Sequence, residues 1–383
     1  MGIKKALLAG MAAAVLLLAA ACQGAPADAP SATATLTPSA TSDTPTAVAP
    51  PPTPAIRPQD WAVVTEERPL HEAALSGSRA DVEEALDQGA DVNVTATVEI
   101  HTGQEVSGLT PLHLASALND DPEVAMLLLD RGADIGTNDG FGYTPLHWAA
   151  GLNNNPEVVA LLLDWGADIE AGIDGDWLTP HGITPLHLAA GHDNNLEVAA
   201  LLLDRGADIE SEDEDGSTPL HYAARFKASQ EMVALLLDRG ADIKARDDSG
   251  GTPLHHAAGF NHREWSNNDK EIAALLLDRG ANIDAEDDDG NTPLHHAAGF
   301  NDKEMVALLL DRGADVAAEN EDGNTPLHNA AAGPLSDKEV AALLLDRGAD
   351  IQVKNDNGDT PCQLARTREE FRGTPVLGRL CAP

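Results

Sequence analysis

The chain has 383 residues, with 63 acidic and 24 basic side chains and a formal net charge of −39. Such a field repels phosphate backbones and anionic lipid surfaces, which argues against nucleic acid and leaves a membrane only through an anchor; it attracts cationic proteins and divalent cations. Aromatic residues are 3% of the chain while Leu and Ala abound, which suits a long shallow core rather than a large globular one.

Lys4 and Lys5 precede an uncharged apolar run from Leu7 to Ala21, and Cys22 follows at once. The run is short for a spanning helix and lacks a stop-transfer flank, so residues 1–21 read as a signal peptide and the protein as exported. Leu18-Ala19-Ala20-Ala21-Cys22 resembles the lipobox of bacterial lipoproteins, with Ala19 where Leu is usual. That resemblance implies lipidation of Cys22 and a membrane-anchored protein facing the periplasm or the exterior. The alternative is plain secretion after an Ala-x-Ala site, in which the adjoining cysteine has no role. Residues 22–58 are mostly Pro, Thr, Ala and Ser, with Asp28, Asp43 and Arg57 the only charges. This stretch cannot bury enough apolar surface to fold, and it reads as an extended tether reaching at most about 100 Å.

Residues 59–383 are built on one repeated unit. Thr-Pro-Leu-His begins at Thr110, Thr144, Thr184, Thr218, Thr252, Thr292 and Thr325; Arg68-Pro69-Leu70-His71 opens the series and Thr360-Pro361-Cys362-Gln363 ends it. Thr218 suits a helix N-cap and Pro219 the first helical position. A second helix follows in each unit, as in Glu197–Leu203, with Gly206 as its left-handed C-terminal residue and Asp215-Gly216 as a turn toward the next unit. A period near 33 carrying this motif resembles the ankyrin family over about residues 61 to 383. The resemblance implies an all-α solenoid of about nine helix–turn–helix units with β-hairpin tips, stabilised by stacking. It also implies structural roles for His113, His147, His187, His221, His255, His295 and His328, each bonded to the motif Thr and neighbouring backbone. The family's Gly-His turn between helices is replaced by Asn-rich turns such as Asn153–Asn155. Insertions near 95–108, 173–183 and 262–268 break the period.

The last unit reads as a polar cap. Cys362 and Cys381 would pair in an oxidising compartment, closing a loop worth roughly 3 kcal/mol; the alternative is two reduced thiols with Cys362 replacing a buried Leu.

No catalytic residue, metal site or cofactor is nominated. His71-Glu72-Ala73-Ala74 starts like a zinc-protease helix, but Leu75 stands where the second His is required. His256 and His296 are too few for zinc. Aligning Gly216 or Gly290 with the fixed Gly of a calcium-binding EF-hand puts Tyr222 or His296 where its bidentate Glu belongs.

The expected function is protein–protein interaction outside the cytoplasm by a monomer, with a basic partner. The alternatives are a dedicated inhibitor, immunity or chaperone partner of a secreted enzyme, and a calcium-assisted surface protein. Two faces are candidates. One is the acidic tips: Asp213, Asp215, Asp247, Asp248, Asp287, Asp288, Asp289, Glu321 and Asp322. The other is a concave strip carrying Phe226, Phe260 and Phe300, whose rings would otherwise fill the gap left by the missing Gly-His turn. Trp148, Tyr222, His256 and His296 form a neighbouring series, expected to lie between units.

Lipidation has a direct check. Intact masses of the wild type and of Cys22→Ala should differ by a diacylglyceryl group beyond the substitution; a difference equal to the substitution alone would contradict it.

Overall fold

The computed structural model describes residues 69–100, 104–153, 155–173, 181–192, 195–226, 228–259, 269–300, 303–333 and 338–382. Cys22, the signal peptide, the tether, Phe260 and the 262–268 insertion lie outside them. Nine helix pairs follow one another among the described residues. They are α1 (Pro69–Ser76) with α2 (Arg79–Asp87), α3 (Pro111–Leu118) with α4 (Pro122–Asp130), and α5 (Pro145–Leu152) with α6 (Pro156–Asp164). Next come α7 (Pro185–Ala190) with α8 (Leu196–Asp204), α9 (Pro219–Arg225) with α10 (Gln230–Asp238), and α11 (Pro253–Gly259) with α12 (Asp269–Asp278). The array ends with α13 (Pro293–Phe300) and α14 (Lys303–Asp311), α15 (Pro326–Ala332) and α16 (Lys338–Asp346), and α17 (Pro361–Arg366) and α18 (Pro375–Leu380). No described helix is long and apolar enough to cross a membrane.

Each helix contacts its partner and the equivalent helices of neighbouring units, so the core is a continuous strip rather than a ball. In six of the second helices helical periodicity selects one Leu of the Leu-Leu-Leu run, whereas α4 buries all three, Leu127, Leu128 and Leu129. Leu162, Leu202, Leu236, Leu276, Leu309 and Leu344 are fully buried, while Leu201 and Leu203 on either side of Leu202 are half-buried. The first helices bury the motif Leu and an Ala pair such as Ala149-Ala150 at 0% exposure, and these small side chains let neighbouring helices approach closely. Gly206 follows α8 at φ +94°, the left-handed position that ends such a helix.

Only the first tip, lengthened by its insertion, forms a strand pair among the described residues. β1 (Ala96–Ile100) runs antiparallel to β2 (Gln104–Leu109), with Val98 opposite Val106. The expected β-hairpins at the other described tips are instead tight turns, because the Asp-x-x-Gly loop closes in five residues and leaves no strand to pair. The Asp213 N–H bonds to the Ser217 carbonyl at 3.1 Å and the Gly216 N–H to the Asp213 carbonyl at 3.0 Å.

A relay through the motif histidines joins the units. The Thr144 N–H donates to Nδ1 of His147 at 3.1 Å, and Nε2 of His147 lies 3.0 Å from the Ile183 carbonyl. An N–H can only donate and a carbonyl only accept, so the ring is neutral with its proton on Nε2. Ile183 carbonyl and Thr184 N–H belong to one peptide group, and that N–H donates to His187 Nδ1 at 3.1 Å. The pattern continues through His221, His255, His295 and His328, and begins at His71, whose Nε2 meets the Leu109 carbonyl at 3.0 Å. It ends at Gln363, whose Oε1 accepts the Thr360 N–H at 2.8 Å. Gln keeps the acceptor for the Thr N–H in this last described unit.

A second ladder is ionic and lies at the C-terminal ends of the second helices. Arg205 pairs with Asp164 and Arg239 with Asp204, both at 2.8 Å, and Arg279 with Asp238 at 2.9 Å, each reaching back one unit. Arg312–Asp278, Arg347–Asp311 and Arg379–Asp346 continue it. These exposed pairs contribute at most about 1 kcal/mol each. Cys362 and Cys381 form a disulfide that ties α18 to α17.

His147→Gln should keep the bond to the Thr144 N–H and lose the one to the Ile183 carbonyl, which retains only the Ile173 N–H, at about 1 kcal/mol in urea unfolding. The reverse change, Gln363→His, should fall within about 0.5 kcal/mol of wild type. Equal losses at both positions would contradict the relay.

Candidate functional site

The tips from Asp139, Asp213, Asp247 and Asp287 are Asp-x-x-Gly turns, and those from Asn320 and Asn355 have Asn in the first place; the four positions do different things. The first residue points inward. Asp213 Oδ1 accepts the N–H groups of Asp215 (3.1 Å) and Ser217 (2.8 Å), and Asp247 and Asp287 repeat this with Ser249 and Gly251 and with Asp289 and Asn291. The next two residues join adjacent turns through their backbones. The Asp248 N–H donates to the Asp215 carbonyl at 2.9 Å, the Asp288 N–H to Ser249, the Glu321 N–H to Asp289 and the Asp356 N–H to Asp322. The closing Gly is needed for this approach: at Gly216 (φ +71°) a Cβ would lie 2.9 Å from the Asp248 nitrogen.

This register sorts the nine tip acids. Asp213, Asp247 and Asp287 were expected at a partner surface; they are instead turned into the fold, with Asp213 only 7% exposed and the Asp247 and Asp287 side chains 11% and 9%. Their charge is consumed by the turn's own N–H groups. Asp215, Asp248, Asp288, Asp289, Glu321 and Asp322 are exposed, because with backbones occupied by the neighbouring tips their carboxylates face water. Of these, Asp288 is engaged by Arg246, at 2.7 Å.

The second oxygen of each inward carboxylate takes a donor from the first helix, nine residues on. Trp148 Nε1–H donates to Asp139 at 2.9 Å, Tyr222 O–H to Asp213 at 2.8 Å, and Nε2 of His256 and of His296 faces Asp247 and Asp287 at 2.6 and 2.7 Å. These four side chains are therefore part of the framework rather than a free strip. The donor decides the carboxyl's acidity. Burial pushes Asp139 up to about 6, and its neutral partners do not offset that; burial raises Asp213 too. Burial also pushes Asp247 and Asp287 upward, but the hydrogen bond and charge of His256 and His296 outweigh it and hold both carboxyls below the usual range.

The Phe strip divides. Phe226 is half-buried, packing edge-on to Tyr222 with ring centroids 5.3 Å apart and lying under the Arg225 guanidinium. Phe300, at the end of α13, is 39% exposed. The Asn-rich turns are a further tie between units: Nδ2 of Asn153 donates to the Ser116 carbonyl at 2.9 Å, and that of Asn195 to the Ala150 carbonyl at 2.8 Å. Those carbonyls are the ones a preceding first helix leaves open. The substitution of Asn for Gly-His was visible in the sequence; its reach into the preceding unit was not.

A cleft of about 460 Å³ between the second and third tips is lined by Ile135, Asn138, Thr144, Asp168 and Ile173 among others, and Asp168 is the one carboxylate on it. Among the described residues no three His, Cys, Asp or Glu side chains gather as metal ligands.

Fold and ladders together define a stacked solenoid of two-helix repeats. The family model for ankyrin repeats matches residues 70–173, 112–213, 170–247, 186–265 and 262–355, and the chain belongs to the ankyrin-repeat family. No curated protein matches the chain significantly. Ankyrin repeats generally bind other proteins and are typically non-enzymatic.

The relay makes stability depend on pH. Burial lowers His113, His147, His187 and His255 from 6.5 to about 4. Between those values the unfolded chain binds more protons than the folded one, so stability is full above about pH 6.5 and falls with pH. Asp139 opposes this between about 6 and 3.8, and Asp213, raised by burial, acts in the same direction, two carboxyls against four rings. Lowering pH from 7 to 5 should therefore drop the melting midpoint by roughly 10 °C; a flat profile would contradict the assignment.

Proposed function

We propose that this protein is an extracytoplasmic interaction module, held at a membrane through lipidated Cys22, that binds a basic protein through its acidic tip face. The observation that carries the reading is the sorting of the tip acids. The first residue of each of these turns, Asp213, Asp247, Asp287 or Asn320, is spent inside it, while Asp215, Asp248, Asp288, Asp289, Glu321 and Asp322 remain outward in adjoining tips. A rigid row of like charge supplies little to folding, and it steers and orients a complementary partner. Family membership supports protein binding as the activity. The signal-like N-terminus, the lipobox-like cysteine and the Cys362–Cys381 disulfide support an oxidising, exported setting.

To test it, the chain is immobilised and presented with envelope and secreted extracts at low and moderate salt, beside Asp248→Asn/Asp288→Asn/Asp289→Asn. A basic protein should be retained at low salt, elute as salt rises and bind the triple variant about tenfold more weakly. Equal retention by both would move the site off the tips.

A further inference from the structure

The ionic ladder has one rung in which the chain supplies only the acid. In six successive pairs from Arg205–Asp164 to Arg379–Asp346, an Arg at the C-terminal end of a second helix (for Arg379, in its last turn) reaches the Asp that ends the preceding one, at 2.6 to 2.9 Å. Arg131 does the same with Asp87 at 3.2 Å. Position 165 is a Trp. Its backbone is that of the other rungs: φ −84° and ψ 0°, against −92° and 3° at Arg205 and −89° and 0° at Arg239, with a left-handed Gly166 next. The side chain therefore starts where a guanidinium would, but brings no charge. Trp165 is 45% exposed, and Asp130, the acid it should serve, is exposed and has no ion pair among the described residues.

We propose that Trp165 and Asp130 form a docking point for an arginine of a protein partner, whose guanidinium completes the missing rung. A carboxylate offers the planar, charged acceptor that a guanidinium fork matches, and an indole face is the best aromatic platform for the same cation. The pattern of the neighbouring rungs places carboxylate and ring on adjacent units of one face, as two sides of one cation's site. The occupant is specified by charge: the chain is strongly anionic, and this rung lacks the cation that every other rung contains. The site lies on the second helices, away from the tips, and stands whether or not the tip face binds.

The test follows the indole N–H signals of the full ¹⁵N-labelled chain while N-acetyl-arginine methylamide is added, with the Trp165 signal assigned by Trp165→Phe. A saturable shift confined to Trp165 is expected, with the lysine analogue binding more weakly. Asp130→Asn should weaken the arginine response about fivefold. Trp165→Arg, which fills the rung from within, should melt within about 5 °C of wild type. No saturable shift at Trp165, an unchanged response in Asp130→Asn, or a larger fall in melting for Trp165→Arg would each overturn the proposal, the last by showing that the indole holds the fold.

Discussion

The structure depends on one chain of hydrogen bonds that passes alternately through a side chain and a peptide group. From His113 on, each motif imidazole accepts from the N–H of its own unit's Thr and donates to the carbonyl before the next unit's Thr. Because that carbonyl and that N–H share a peptide, each bond polarises the next, and the chain runs in one direction from His71 to Gln363. A unit of two short helices cannot bury its own apolar face, and its first helix is too short to be stable alone. The relay fixes the register in which units stack, and stacking then buries the Leu and Ala positions. It also removes the motif histidines from chemistry: both nitrogens are occupied, and the neutral ring is required.

The same economy governs the acids. At the first position of a tip an Asp satisfies two backbone N–H groups and one donor from the first helix, and Asn320 satisfies two backbone N–H groups. At the ends of the second helices an acid meets the next unit's Arg. Acids outside these two roles include the outer tip positions and Asp130 at the broken rung. The high negative charge of the chain is therefore partly structural, and the part open to a partner is smaller and more ordered than composition suggests.

Much of the fold was legible in the sequence, because Thr-Pro-Leu-His puts an N-cap, a helix-starting Pro, a core Leu and a bonding His at fixed offsets. The inter-unit partners were not, since a carbonyl 29 to 38 residues away leaves no local mark. The tip acids were misread where charge was counted without turn register: the spacing Asp213 to Gly216 already assigns the first acid to N–H groups two and four residues on. Likewise β-hairpins were expected at tips whose loops are too short to hold strands. The broken rung was missed for the opposite reason. Trp165 stands where the other Leu-Leu-Leu-Asp-x-Gly-Ala runs carry Arg, a local mark that a count of motifs or charges passes over.

The most direct measurement is the protonation and tautomeric state of the motif histidines, from long-range proton–nitrogen correlations at pH 6. A neutral ring protonated on Nε2 at His113, His147, His187 and His255 is the predicted result, at a pH where free histidines are mostly charged. Imidazolium signals, or rings protonated on Nδ1, would contradict the relay and return these residues to the list of groups available for binding or catalysis.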